Sequence, residues 1–123
     1  MKIESYQQLE VWKKAMSLVT EVYQQTQTYP KEEIYALAIQ IRRSAISIPA
    51  NIAEGWGRKN TKEYVQFLRI SRGSLLELET HLIISANLNY LSQQSLESLS
   101  QKIQEISKML NAMIKKLSGI KQC

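Results

Sequence analysis

The chain has 123 residues, with 16 Lys and Arg against 11 acids, all of them Glu, for a formal charge of +5. Four Gly and two Pro are too few turn signals for an all-β fold, and a single Cys, the last residue, excludes a disulfide scaffold and a thiolate zinc site. No apolar run approaches the ~18 residues of a membrane span, and Met1-Lys2-Ile3-Glu4-Ser5 leads into polar Gln7-Gln8 rather than a secretory signal. The expectation is a soluble, cytoplasmic, basic, helical domain spanning residues 1–123.

The first predicted helix runs from Ser5 to Thr28. Leu9, Trp12, Met16, Val19 and Tyr23 share one face at 3, 4, 3, 4 spacing. Ser5 and Gln8 have the spacing of a capping box, and Tyr29-Pro30 ends the segment. The second helix runs from Lys31 to Trp56, with Ile34, Ala38, Ile41, Ala45, Ile48 and Ile52 as its seam. Pro49 falls inside it. The apolar register continues past Pro49, so the expectation is a kink rather than a break. Gly55 and Gly57 supply the stop.

The third helix runs from Thr61 to Asn89, capped by Asn60 with Glu63, and carries Tyr64, Leu68, Leu75, Leu78 and Leu82 on one face. Gly73 sits in its interior, where glycine usually marks close approach of a neighbouring backbone. The fourth helix runs from Gln93 to Ser118, with Ser92 as N-cap, and its seam is Leu96, Leu99, Ile103, Ile106, Leu110, Met113 and Leu117. Short connections make neighbours antiparallel. The fold class is all-α, an up-down-up-down four-helix bundle with a kinked second helix.

Two helices carry a second apolar stripe: Val11, Ala15, Leu18 and Val22 on the first, and Tyr35, Ile39, Ile46, Ala50 and Ala53 on the second. Either the core stripe is wide, or these faces are subunit interfaces.

Catalytic chemistry has little to draw on. There is one His and no Asp. His81 lies at a core edge, where a lone histidine is more often a surface or satisfied residue than a ligand. Metal spacing is absent and no cofactor is implied. Glu33, Glu77, Glu79, Glu97 and Glu105 read as solvated surface. Glu54, at a helix C-terminus where a carboxylate is unfavourable, needs a cation. Arg43, Arg69 or Arg72 could serve, giving an interhelical ion pair.

Basic residues cluster: Arg58, Lys59, Lys62, Arg69 and Arg72 follow one another over 15 positions, with Arg42 and Arg43 on the preceding helix. All five Arg fall between 42 and 72. Residues 1–57 balance to zero, 58–91 carry +2 and 92–123 carry +3, the last from Lys102, Lys108, Lys115, Lys116 and Lys121. The Gly55-Trp56-Gly57-Arg58-Lys59-Asn60 loop opens into a helix, a favourable place for an anion. No βαβ unit accompanies its glycines, so a dinucleotide site is not expected. The alternatives are a phosphate-contacting surface for nucleic acid, with salt-sensitive affinity, or a solvated face with structural Arg–Glu pairs.

Three blocks together resemble a known family. Gln40-Ile41-Arg42-Arg43-Ser44-Ala45-Ile46-Ser47-Ile48-Pro49-Ala50-Asn51-Ile52-Ala53-Glu54-Gly55 is similar to the hallmark of the four-helix-bundle proteins linked to intervening sequences of bacterial large-subunit ribosomal RNA. Arg69-Ile70-Ser71-Arg72-Gly73-Ser74-Leu75-Leu76-Glu77-Leu78-Glu79 resembles its second block, with Ser71 where the family often has Ala. Leu9-Glu10-Val11-Trp12-Lys13-Lys14-Ala15-Met16 resembles its first. The match spans roughly residues 6–91. The resemblance implies a non-enzymatic homo-oligomer, a pentamer, with RNA as partner. It also implies a more distant likeness to the accessory variability determinant of diversity-generating retroelements. Pro49, Asn51, Glu54, Gly55 and Gly73 are then motif positions of structural weight. The alternative is an oligomeric scaffold for a protein partner.

Overall fold

The computed structural model describes residues 2–119; Met1 and residues 120–123, including Lys121 and Cys123, lie outside them. Four long helices occupy the described residues, with no strand: α1 (Glu10–Thr26), α2 (Leu37–Gly57), α3 (Thr61–Asn87) and α4 (Gln93–Gly119). Each packs on its chain neighbours, and α4 closes against α1. Ser47 meets Ser74 and Gly55 meets Phe67, so α2 and α3 run antiparallel. Lys14 meets Glu105 and Glu21 meets Lys102, so α1 and α4 do too. Ile41, Ile48 and Ile52 from α2, Leu68, Leu75, Leu78 and Leu82 from α3, and Leu99, Ile106 and Leu110 from α4 form most of the closed core. Each of these fully buried side chains contributes about 1.5–3 kcal/mol of transfer free energy.

The capping signals act largely as written. The Asn60 side chain accepts from the Glu63 N–H at 3.0 Å, and the Ser92 hydroxyl accepts from the Ser95 N–H at 3.0 Å. Ser5, however, caps a 3-10 turn, Tyr6–Gln8, and α1 starts only at Glu10. Leu9 is extended between the two. The turn swings Tyr6 edge-on to Trp12 and Trp56, with centroids 5.3 and 6.4 Å apart, and this packing outweighs continuing the helix. The second helix likewise starts late. Lys31–Glu33 is a 3-10 turn and α2 begins at Leu37. Tyr29 is buried against Tyr90, which ties down the linker. Glu33 is no solvated acid: it accepts from the Tyr90 hydroxyl at 3.0 Å and from the Leu37 N–H at 3.4 Å.

The inward face of α1 is the other stripe. Val11, Ala15, Leu18 and Val22 are buried, whereas Met16 and Tyr23 are exposed. The neighbours decide this. Lys14 and Glu21 turn toward α4 and Tyr23 and Thr26 toward α2, so the bisector between the neighbours falls on Val11–Val22. On α2 the seam from Ala38 to Ile52 is buried as expected, but Ile34 lies ahead of the helix and is exposed. On α4, Ile114 is buried along with the expected seam, and Met113 and Leu117 flank it.

The α2–α3 seam is built from small and polar residues. α2 runs unbroken through Pro49. The Asn51 amide donates to the Ser47 carbonyl at 2.8 Å and to its hydroxyl at 2.9 Å, and that hydroxyl meets Ser74 at 2.8 Å. The Ser71 hydroxyl donates to the Ile48 carbonyl at 2.5 Å. The glycine that marks close approach is Gly55, not Gly73. A Cβ at Gly55 would lie 2.7 Å from Phe67 Cβ, whereas a Cβ at Gly73 would meet nothing within 4 Å. Gly73 points outward on α3, so its place in the helix interior says nothing about helix contact.

Candidate nucleic-acid interface

The seven cationic candidates do not form one patch. Arg42 is engaged inside the fold. Its Nε donates to the buried Thr26 hydroxyl at 2.8 Å, its Nη2 to the Tyr23 carbonyl at 3.4 Å, and its guanidinium lies 4.4 Å from the Tyr23 ring centroid. A cation there also suits the free carbonyls at the C-terminus of α1. Arg43 is exposed on α2 and makes no ion pair or side-chain hydrogen bond among the described residues.

Of the other five, Arg58, Lys59 and Lys62 gather where α2 ends and α3 begins, and Arg69 and Arg72 lie two to three turns further along α3. Arg58 closes α2, and Lys59 follows in the left-handed region at φ 56°, turning the chain into the Asn60 cap. Arg58 Nη2 lies 3.1 Å from Glu54 and Nη1 3.8 Å from Glu63, with the guanidinium 5.1 Å from the Phe67 ring centroid. Glu54 therefore finds its cation one turn ahead in sequence, not on a neighbouring helix. Arg43, Arg69 and Arg72 do not reach it. The antiparallel packing sends Arg72 toward α4, where it donates to Asn111 at 2.9 Å.

Lys62, Gln66 and Arg69 form a ridge along α3, about one turn between successive members. Lys62 and Arg69 are exposed and make no ion pair or side-chain hydrogen bond among the described residues. A groove of about 420 Å³ on the α4 side of this ridge is lined by Thr61, Val65, Leu117 and Ser118 as well as the ridge. A second, of about 380 Å³, lies on the α2 side, lined by Arg58, Glu63 and Phe67 with Lys62 and Gln66. Both are open at the surface, with cations at their rims and an apolar floor (Val65 and Leu117 in one, Phe67 in the other).

Periodicity placed Lys62, Gln66 and Arg69 together. It could not place Phe67 under Arg58, or Leu117 beside Val65, because both contacts depend on how helices dock. No cluster of His, Cys, Asp and Glu able to hold a metal occurs among the described residues, and His81 Nδ1 is enclosed without a partner there. No described helix is long and apolar enough to cross a membrane.

The sequence pattern of a family described as "23S rRNA-intervening sequence protein" matches residues 7–112. The chain belongs to that family. Its helices also superpose on a solved structure from Bacteroides thetaiotaomicron VPI-5482, described as a protein with unknown function from the S23 ribosomal protein family. That match has a TM-score of 0.77 and 25% identity, and covers 85% of this chain and 98% of the other. A comparison with curated proteins found no match. The family and its solved neighbour are of unknown function, and neither indicates an enzymatic activity. The matched span holds all three recognised blocks and ends within α4.

Proposed function

We propose that this protein is a non-enzymatic, cytoplasmic homo-oligomer, a pentamer, that binds RNA through the α3 ridge and its two grooves. The observation that carries the RNA reading is the pairing pattern of the cations. Lys62 and Arg69, on one helix face above open grooves, have no acidic partner among the described residues and stay available to phosphate. Lys59 stands at the same end of α3. Arg42 and Arg58 have internal partners and are not free for phosphate.

Assembly is supported by exposed apolar side chains. Ile39 and Ile46 on α2, Ile70 and Ile84 on α3, and Met16 on α1 are each about two-fifths exposed, and Tyr35 is 88% exposed. Exposed apolar side chains in this number on a small domain favour a contact surface, and a second copy presents the same side chains. Ile70 stands one turn from Gln66, so on α3 they adjoin the Lys62–Arg69 ridge.

The test joins light scattering to an RNA titration across salt. The expected result is an oligomer whose RNA affinity falls steeply as salt rises. Absence of binding at about 50 mM salt, where phosphate contacts are strongest, overturns the RNA reading. A monomer at all concentrations overturns the assembly. Lys62→Gln and Arg69→Gln should each lower the slope of log affinity against log salt by about 1.

A further inference from the structure

The proposal above leaves open which part of an RNA the ridge takes. The arrangement around Arg58 narrows it. This guanidinium has both terminal nitrogens facing carboxylates, Nη2 toward Glu54 and Nη1 toward Glu63. Its central carbon lies over the Phe67 ring, 5.1 Å from the centroid, yet the side chain remains 45% exposed. A guanidinium held this way is poorly suited to phosphate. Both terminal nitrogens already face a carboxylate, and the two neighbouring carboxylates repel an anion. It is well suited to something flat and neutral. It is a planar, positively polarised group lying over an aromatic ring and held between two carboxylates. Nucleobases stack on Arg guanidinium planes as they do on aromatic rings.

Lys62 is the opposite case. It lines the same groove as Arg58 and Phe67, and also the groove on the other side of the ridge. With Arg69 it offers two cations, unpartnered among the described residues, about 10.5 Å apart along the α3 axis, seven residues at 1.5 Å each. Gln66, exposed between them, makes no side-chain hydrogen bond among the described residues and can pair with a base edge. Stacking platform and phosphate contacts thus occur side by side on one surface, with the acids only at the stacking end.

Resting on the RNA reading, we propose that this surface takes an unpaired nucleotide segment. One base stacks on the Arg58–Phe67 platform and the flanking phosphates lie against Lys62 and Arg69. Paired bases in a duplex present no free face to Arg58, so the ligand is a single-stranded loop, bulge or end.

The experiment compares two strands of equal charge. Fluorescence anisotropy at about 50 mM salt measures the full-length protein against a single-stranded oligouridine of about ten nucleotides. The second ligand is an abasic ribose-phosphate strand of the same length. The oligouridine should bind roughly 5- to 100-fold more tightly, the contribution of a stacked base. Arg58→Lys keeps the charge beside Glu54 and Glu63 but removes the plane, and should abolish that difference while leaving the abasic strand's affinity unchanged. Equal affinity for the two strands overturns the stacking proposal and leaves phosphate binding standing. So does an Arg58→Lys variant that keeps the full preference. If neither strand binds, the RNA reading itself falls. Phe67→Leu, which keeps the Cβ packed at Gly55, is the second variant and should weaken oligouridine binding selectively. Circular dichroism of both variants confirms that the bundle is intact.

Discussion

Substituting Gly55 by Ala tests the α2–α3 seam most directly. The added Cβ would sit 2.7 Å from Phe67 Cβ, 3.0 Å from Tyr64 Cδ1 and 3.2 Å from the Tyr64 carbonyl oxygen. Carbon atoms pack best at about 3.5–4.0 Å, so the closest contact is about 1 Å too short. Neither Phe67 Cβ nor the Tyr64 carbonyl can rotate away, because each is part of or bonded to the α3 backbone. The two helices must separate. Overpacking of this kind costs about 1–3 kcal/mol. Against it, Ala gains about 1 kcal/mol over Gly in helix propensity. The expected net loss is about 0–2 kcal/mol, or a Tm lowered by up to roughly 10 °C for a domain of this size. Gly73→Ala is the matched control. Its Cβ meets nothing within 4 Å, so only the propensity gain of about 1 kcal/mol remains and the Tm should rise. Thermal and urea unfolding of both variants, at one protein concentration because assembly contributes to stability, reads the difference. A Gly55→Ala protein stabilised as much as Gly73→Ala would refute the argument that glycine is needed for helix approach.

Arg42→Ala should destabilise the bundle by about 1–2 kcal/mol through loss of its hydrogen bonds to Thr26 and Tyr23 and its contact with the Tyr23 ring. Its RNA affinity should stay unchanged; urea midpoints and anisotropy check the two halves. Ile46→Glu places a charge at an exposed apolar position of α2, and light scattering should show a smaller assembly with the helical content preserved. The tyrosines predict an alkaline transition. Burial pushes Tyr64 and Tyr29 above the ordinary phenol value, and donation to Glu33 raises Tyr90. The fold thus favours the neutral phenols. Their contribution is complete below the ordinary pKa of about 10 and is lost as pH rises through the raised folded values. Urea midpoints across the alkaline range should fall above about pH 10, and less steeply in Tyr64→Phe.

Much of this architecture is readable from residue order. Spacings of 3 and 4 place Ile41, Ile48, Leu75 and Leu82 inside because the helical period is a local property of the chain. Asn60 and Ser92 cap α3 and α4 because a capping side chain bonds to backbone within three residues. The count of four helices, their antiparallel succession and the clustering of Arg58 through Arg72 follow from the same local rules. Other features need helices to meet. Two adjacent stripes on α1 have the same period, and only the positions of α2 and α4 select Val11–Val22 over Met16 and Tyr23. Gly55 and Gly73 look equivalent along the chain, and only the approach of α3 gives the first its necessity. The seven cations are similarly alike in sequence. Docking turns Arg42 toward Thr26 and Arg72 toward Asn111, the loop brings Arg58 between Glu54 and Glu63, and Lys62 and Arg69 remain unpaired among the described residues. Local periodicity determines which face a residue occupies. Whether that face is covered, and by what charge, depends on residues distant in sequence, and only the tertiary structure decides it.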